Sequence, residues 1–173
     1  MVQSQSRALK VSRFLLWILR GINVVMGALL VLAIPASFLF APQVFEFFSR
    51  KPADIDPTWL LPLLRIGIVL GLASVAAAHV FFSRLMAVVE TVQFGDPFVP
   101  ENAVRLKTIA WCALAGELLS LAFGMLASAM NAAGSNIDWE FSATGWLAVA
   151  LIFVLAWVFE EGTRMRDDLG QMI

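Results

Sequence analysis

Four long apolar stretches alternate with short polar segments along the chain. They run from about 21 to 41, 59 to 82, 108 to 130 and 141 to 159, and each contains at most one charged residue. A helix needs about 20 apolar residues to cross a bilayer, because it rises about 1.5 Å per residue and the hydrocarbon core is about 30 Å thick. The pattern therefore predicts four transmembrane helices.

The connection after the second stretch is predicted to contain a helix break. Its apolar residues keep near-helical spacing beyond the hydrocarbon limit: Phe82, Leu85, Val89 and Val92. The second helix should therefore continue into the headgroups and end at Gly95, Asp96 and Pro97, where Gly permits unusual dihedrals and Pro disfavours a helical residue before it. Pro100 fits the first turn of the third helix, and Glu101 suits the positive end of its dipole.

The remaining polar segments are too short for a further domain. Residues 42–58 contain prolines and acidic residues typical of turns, and residues 130–140 form a short loop without Lys or Arg. Residues 160–173 mix acidic, basic and apolar positions, as in a short solvated or interfacial helix. We therefore predict one domain over residues 1–173, an all-α polytopic membrane four-helix bundle with short cytoplasmic helical extensions.

Composition supports lipid as the solvent of this chain. It is 60% hydrophobic and 14% charged, with a mean hydropathy of +0.83, whereas soluble domains are roughly 45–50% apolar and about 25% charged. A single cysteine, Cys112, excludes an internal disulfide. Helix packing must therefore hold the fold together.

The distribution of Lys and Arg predicts the topology, because short segments rich in these residues stay in the cytoplasm. One side collects the N-terminal segment, the second connection and the tail: Arg7, Lys10, Arg13, Arg20, Arg84, Arg105, Lys107, Arg164 and Arg166. The loops of the other side contain only Arg50 and Lys51. Both termini and the turn at 95–102 are therefore predicted to be cytoplasmic.

Two ionisable side chains lie inside predicted spans, Arg65 and Glu117. Burying either alone at mid-membrane would cost at least about 2.5–3.5 kcal/mol, so each needs a partner or a route to water. One hypothesis is an Arg65–Glu117 ion pair inside the bundle. The other is that Arg65 extends to the interface while Glu117 is protonated or hydrogen-bonded. Counting along the predicted helices leaves an axial gap of about 10 Å between them, which favours the second.

Small residues predict close packing of the second and third helices. They recur at near-helical spacing in Gly67, Gly71, Ser74 and Ala78, and in Ser120, Gly124 and Ser128. Contact within one chain is the simpler interpretation of these stripes. Association of two copies into a homo-oligomer is the alternative.

No residue pattern predicts catalysis, a metal site or a cofactor. Phosphate-binding glycine loops, nucleophile–His pairs and paired carboxylates in a pocket are absent from the sequence. His79 is the only histidine and cannot supply the several ligands of most zinc or haem sites. Cys112 lacks the neighbouring soft ligands that copper needs. We therefore expect a non-enzymatic protein that binds no nucleic acid directly.

Two stretches resemble a known family. The first reads Gly95, Asp96, Pro97, Phe98, Val99, Pro100, Glu101 and Asn102, followed by Arg105, Leu106, Ile109, Ala110 and Trp111. The second reads Phe159, Glu160, Glu161 and Gly162, then Met165, Arg166, Asp167, Asp168, Leu169 and the final Ile173. Over nearly the whole chain the sequence is similar to the bacterial domain-of-unknown-function family 2975. The resemblance implies a small four-helix protein of a bacterial plasma membrane, often encoded beside a short helix-turn-helix regulator, with no established chemistry.

Both family stretches fall on the side predicted to be cytoplasmic. We therefore expect 95–102 and 162–169 to pack together and present a face that docks a cytoplasmic regulator or senses membrane state. A plain connection between two helices is the alternative interpretation of the proline-rich turn. The rival function is an accessory subunit or small transporter with a polar path through Arg65 and Glu117.

Overall fold

Four long helices account for most of the structure, a computed structural model that describes residues 2–43, 46, 57–93, 99–132 and 135–170, with the backbone alone at 2–10, 57, 58, 167, 169 and 170. The helices are α1 (Val2–Leu39), α2 (Pro57–Gln93), α3 (Pro100–Ala132) and α4 (Ala143–Gly170). The described residues contain no β-strand. The predicted all-α four-helix fold is confirmed.

Local sequence explains where three of the helices begin. Pro57 and Pro100 are the first residues of α2 and α3, positions where the missing N–H of proline costs nothing and its fixed φ suits a helix. Ser142 precedes α4, and its hydroxyl accepts a hydrogen bond of 3.1 Å from the N–H of Gly145. That bond is the usual N-cap of a helix that starts one residue later.

Consecutive helices pack side by side, α1 on α2, α2 on α3 and α3 on α4. We call the end where α1 and α3 begin and α2 and α4 end the termini end, and the opposite end the loop end. At the termini end Arg13 of α1 donates a 3.0 Å hydrogen bond to Gln93 and lies 4.0 Å from the carboxylate of Glu90. These contacts fix the register of α1 on α2.

The best-buried core lies in the half of the bundle nearer the termini end. Leu106 and Ile109 of α3 and Ala156 of α4 are buried together. Side chains from α2 and α4 pack around them: Phe81, Leu85, Val88, Ile152 and Phe159. Three helices therefore meet there around α3.

Most other large apolar side chains face outward. Each helix is long and apolar enough to cross a membrane, over Val11–Leu39, Trp59–Gln93, Pro100–Ala132 and Ala143–Arg166. Outward apolar side chains on helices of this length are expected in lipid, where the bilayer is the solvent. The chain is a multi-pass membrane protein.

The helix ends agree with several predictions and extend others. α2 continues to Gln93, past the hydrocarbon limit, and α3 starts at Pro100 with Glu101 in its first turn, as predicted. The helical tail is confirmed through Gly170, and it is continuous with α4. Most of the predicted loop at 42–58 and the predicted break at Gly95, Asp96 and Pro97 lie outside the described residues.

A return segment, residues 135–142, runs back along α3 before α4 begins. Asn131 holds its first part, because the side-chain amide donates to the carbonyl of Ile137 (2.9 Å) and accepts from the N–H of Ile137 (2.8 Å). Further along, Trp139 packs on Gly124 and Gly145 lies against Glu117. α4 therefore starts level with Glu117, roughly 20 Å from the loop end of α3.

Candidate functional site

A buried polar cluster joins α2 to α3 at the termini end, and we call Thr91, Asn102 and Arg105 the polar lock. Asn102 is 0% exposed. Its amide donates to the Thr91 hydroxyl at 2.6 Å, and that hydroxyl donates to the carbonyl of Val88 at 2.8 Å. Arg105 donates to Asn102 Oδ1 at 2.9 Å and to the carbonyl of Ala87 at 3.3 Å.

The hydrogen bonds of the polar lock keep Asn102 buried and connect α3 to α2. A buried amide without partners would cost about 1–3 kcal/mol, so the bonds to Thr91 and Arg105 help to hold Asn102 in its buried position. The lock therefore fixes α3 to the last turns of α2. It holds the two helices in register beside the predicted turn at 95–99.

A cleft of about 340 Å³ opens beside the lock, between the first turns of α3 and the last turns of α4. We call it the termini-end cleft, and its walls are formed by Pro100, Ala103, Val104, Lys107, Glu160, Thr163 and Arg164. Thr163 is buried, and its hydroxyl donates to the carbonyl of Phe159 on its own helix. The cleft thus has a small-residue floor and a charged rim.

The charges on the rim are nearly balanced and well solvated. Lys107 lies 3.9 Å from Glu160, and both side chains are mostly exposed. Arg164 donates a 2.8 Å bond to Glu161 on the same helix. Exposed pairs of this kind contribute about 0–1 kcal/mol to stability, so their side chains remain available to a ligand or partner.

The described residues of the two predicted cytoplasmic motifs lie in the first turn of α3 and the last turns of α4. Pro100 lines the termini-end cleft, Glu101 is exposed and Asn102 is buried. Arg166 and Asp168 are exposed on the last turns of α4, and Gly162 is half-buried there. Gly95, Asp96, Pro97 and Phe98 lie outside the described residues, as does the side chain of Asp167.

The described parts of the two motifs share one cleft. Pro100 from the first motif lies across it from α4, where Thr163 and Arg164 fall between Gly162 and Arg166 of the second. Of the expected packing of 95–102 against 162–169, the structure shows that Pro100, Thr163 and Arg164 line the same cleft, and the rest stays a prediction. Whether Phe98 joins them stays a prediction.

Arg65 faces α1 near the loop end. Its Nη2 donates to the Ser37 carbonyl at 3.3 Å, and the Phe38 ring covers the guanidinium at 3.8 Å from the ring centre. A cavity of about 160 Å³ adjoins it, lined by Ile34, Ser37, Phe38, Arg65, Ile68 and Val69. The guanidinium thus meets the last turn of α1, where a cation suits the negative end of the helix dipole.

Glu117 faces α4 instead. A methyl group built on Gly145 would lie 2.6 Å from the Glu117 carboxyl carbon, so the carboxyl group occupies the space that this glycine leaves. Gly145 lies in the first turn of α4, where the helix dipole stabilises a negative charge. Within the described part of the chain no ion pair involves this carboxylate.

The hypothesised Arg65–Glu117 ion pair is not formed in this structure. Gly67 packs against Leu126, so Arg65, two residues nearer the loop end, lies about three helical turns from the level of Glu117, roughly 16 Å along the axis. The two side chains also face different helices. Counting residues gave an axial gap, but hydropathy does not show how a side chain is directed around its helix axis, so the sequence could not show that the two side chains face different helices.

Two glycines of the small-residue stripes contact elements other than the helix that the sequence predicted for them. α2 and α3 are neighbours, as predicted. However, Gly71 faces Leu30 of α1, and Gly124 faces Trp139 of the return segment. Only Gly67 is seen against α3. The small residues predict close approach correctly, but not which element approaches.

Candidate metal ligands stay apart in the described residues. No three His, Cys, Asp or Glu side chains in that part of the chain come close enough to hold a metal ion. Cys112 is a half-buried free thiol. These side chains form no centre that could carry metal chemistry there.

The predicted family resemblance is matched by a family model. The family described as a protein of unknown function, DUF2975, matches residues 60–173, more than half of the chain. The chain belongs to this family. No curated protein and no solved structure matches the chain.

The DUF2975 match covers the polar lock, the termini-end cleft, Arg65 and Glu117. It begins after α1, whereas the resemblance was expected to span nearly the whole chain. The three-helix core around α3 therefore lies inside the matched region. α1, which contributes one wall of the Arg65 cavity, lies before it.

Sequence reasoning missed two residues of this site. Thr91 lies three residues after Val88 in an apolar helix and was not singled out from the sequence. Thr163 lies in a charged tail that was interpreted as solvated. The only available signal was Asn102, a polar residue one helical turn before the buried Leu106.

Proposed function

We propose that this chain is a non-enzymatic regulatory protein of a bacterial plasma membrane that docks a cytoplasmic protein at the termini-end cleft. In this proposal both termini are cytoplasmic, in line with the excess of Lys and Arg on that side. The partner is a regulator such as a short helix-turn-helix protein, which the family resemblance implies. The proposal includes a sensing role, in which membrane state alters the cleft.

One observation carries the proposal: the polar lock holds a cleft at the end of helices that are longer than a bilayer is thick. α3 has 33 residues and spans about 50 Å, compared with a hydrocarbon core of about 30 Å. The surplus of α3 includes Pro100 to Lys107. Burying the amide of Asn102 beyond the membrane costs desolvation free energy. A function for the surface that this residue orders accounts for the presence of the polar lock.

The chemistry of the cleft favours a protein as the occupant. Lys107 and Arg164 are offset by Glu160 and Glu161, whereas surfaces that track nucleic acid are strongly basic. Mixed charge around small apolar residues resembles the polar rim and apolar centre of a protein interface. This balance supports docking of a protein and agrees with the expectation that the chain contacts no nucleic acid.

The alternative, an accessory subunit or small transporter, has less support. Arg65 and Glu117 lie against different helices and are separated along the bundle axis. Neither the termini-end cleft nor the cavity beside Arg65 is lined by Glu117. A polar path through both residues would need a rearrangement of α4.

Site-specific photocrosslinking in native membranes tests the proposal. A photoreactive amino acid replaces Val104, which lines the cleft and is 66% exposed. The matched control replaces Leu118, which is 53% exposed and lies almost four turns deeper on nearly the same face of α3. We expect a discrete protein adduct from position 104 and none from position 118.

Mass spectrometry of the adduct then decides between the functions. A DNA-binding regulator supports docking, and a transporter subunit favours the alternative. The double variant Lys107→Glu/Arg164→Glu should abolish the adduct, whereas Arg84→Glu, an exposed charge outside the cleft, should leave it unchanged. Equal crosslinking from positions 104 and 118, or no adduct at all from position 104, would contradict the proposal.

A further inference from the structure

The spacing of charged residues along α2 indicates that Arg65 lies at the depth of lipid headgroups, at the loop end of the bundle. It is separated from Arg84, on the same helix at the termini end, by about 28 Å along the axis, close to the thickness of a hydrocarbon core of about 30 Å. Trp59 lies about 9 Å farther out and is exposed. Tryptophans of this kind mark the membrane interface.

The guanidinium of Arg65 has fewer acceptors than it needs. Nη2 makes one long bond of 3.3 Å to the Ser37 carbonyl, and Nε is buried without an acceptor. No carboxylate lies within ion-pairing distance of Arg65 among the described residues. A planar guanidinium favours an acceptor with two oxygens side by side, such as a phosphate.

The cavity beside Arg65 is built for an amphiphile. Apart from Ser37 and Arg65, its lining is apolar, and Phe38 and Val69 are both largely exposed in the isolated chain. Those side chains face the surrounding lipid. An acyl chain can therefore lie along Ile68 and Val69 while a charged headgroup reaches the guanidinium.

We propose that Arg65 and this cavity bind the phosphate of an anionic phospholipid in the leaflet opposite the termini. Charge complementarity selects the ligand, because a cation with unfilled donors at headgroup depth attracts an anion. The lipid would bridge α1 and α2 and give the guanidinium a stronger acceptor than the long bond from Nη2 to the Ser37 carbonyl. The inference is independent of the docking function, which concerns the other end of the bundle.

Lipid binding to the purified protein in detergent, measured by native mass spectrometry, tests the inference. The probes are dioleoyl phosphatidylglycerol, dioleoyl phosphatidylcholine and inorganic phosphate. We expect the anionic lipid to bind more tightly than the zwitterionic one. Arg65→Gln should weaken phosphatidylglycerol binding about tenfold or more, a change of about 1.4 kcal/mol, since it removes a charge-assisted hydrogen bond to the phosphate.

Three further variants distinguish specific lipid binding at Arg65 and its cavity from general attraction of anionic lipid to a cationic protein. Arg65→Lys keeps the charge but loses the planar donor pair, so it should retain part of the affinity. Val69→Phe narrows the cavity from its lipid-facing side and should lower affinity while the melting temperature stays unchanged. Arg84→Gln, the matched control on the same helix, should bind phosphatidylglycerol as the wild type does.

Several outcomes would overturn the inference. One is unchanged phosphatidylglycerol binding in both Arg65→Gln and Val69→Phe, which would leave Arg65 as a cap of α1 only. An equal loss in Arg84→Gln would show general attraction of anionic lipid to a cationic protein. Equal affinity for the two lipids, or equal stabilisation by inorganic phosphate, would also exclude an anionic phospholipid as the specific ligand.

Discussion

Trp139 packs its indole directly on Gly124, so that the return segment is anchored to the loop-end half of α3. A methyl group built on Gly124 would lie 2.6 Å from two atoms of the indole and 2.8 Å from a third. Only a glycine permits this approach. The contact explains how a non-helical segment can lie beside a transmembrane helix, where its backbone needs fixed partners.

Gly124→Ala is therefore expected to displace Trp139 and destabilise the protein. The rigid ring cannot bend away from the added methyl, and overpacking of this kind costs about 1–3 kcal/mol. Thermal unfolding in detergent measures the loss. The matched control is Gly116→Ala on the same helix, where nothing lies within 4 Å of the added methyl.

A second variant makes this prediction specific. In a Trp139→Ala background the space above Gly124 is empty, so Gly124→Ala should cause little further loss. If Gly124→Ala is as damaging in that background as in the wild type, the anchoring role of Trp139 is wrong.

The Glu117–Gly145 contact leads to another prediction. An alanine at position 145 would push the carboxyl group of Glu117 away from the first turn of α4 and from the favourable end of its dipole, a loss of about 0.3–1 kcal/mol. We expect Gly145→Ala to lower the melting temperature of the wild type but not that of Glu117→Ala. Gly21→Ala, which meets no neighbour within 4 Å, is the control; strict additivity of the first two substitutions would refute the contact.

The separation of Arg65 from Glu117 predicts additive effects. Residues more than about 7–10 Å apart without shared partners usually add within about 0.3–0.5 kcal/mol. The stability loss of the Arg65→Ala/Glu117→Ala double variant should therefore equal the sum of the single losses. A coupling free energy well above that range would restore the ion pair as a feature of the protein in its membrane.

The sequence was sufficient to predict the features that depend on the surrounding lipid, which are the number and positions of the helices. Apolar runs of transmembrane length located all four helices, and proline rules located the start of α3 at Pro100. Hydropathy did not show the level at which α4 begins. The return segment is short enough to pass for a plain loop, and its fold depends on Asn131 and Gly124 meeting partners beyond the turn.

The candidate site was predictable only in part, for the same physical reason. Family stretches pointed to Pro100 and Asn102, and both belong to the termini end as described. Arg65 and Glu117 were singled out from the sequence as charges inside predicted spans, yet their partners depend on how each helix is rotated about its axis. That rotation is set by packing, such as Gly71 on Leu30, which periodicity alone does not reveal.

The polar lock yields the last prediction, the destabilisation of the termini end by Thr91→Val. This change keeps the shape of the side chain but removes the hydroxyl that accepts from Asn102, and the loss of an acceptor for a buried amide donor costs about 1–3 kcal/mol. For a chain of this size that corresponds to about 2–4 °C in melting temperature per kcal/mol. Asn102→Ala should be at least as damaging, because Arg105 also loses the nearer of its two acceptors, and the double variant should lose less than the sum of the two. Thr108→Val is the matched control, since that hydroxyl bonds only the Val104 carbonyl of its own helix; equal losses from Thr91→Val and Thr108→Val would show that the lock contributes nothing beyond a local bond.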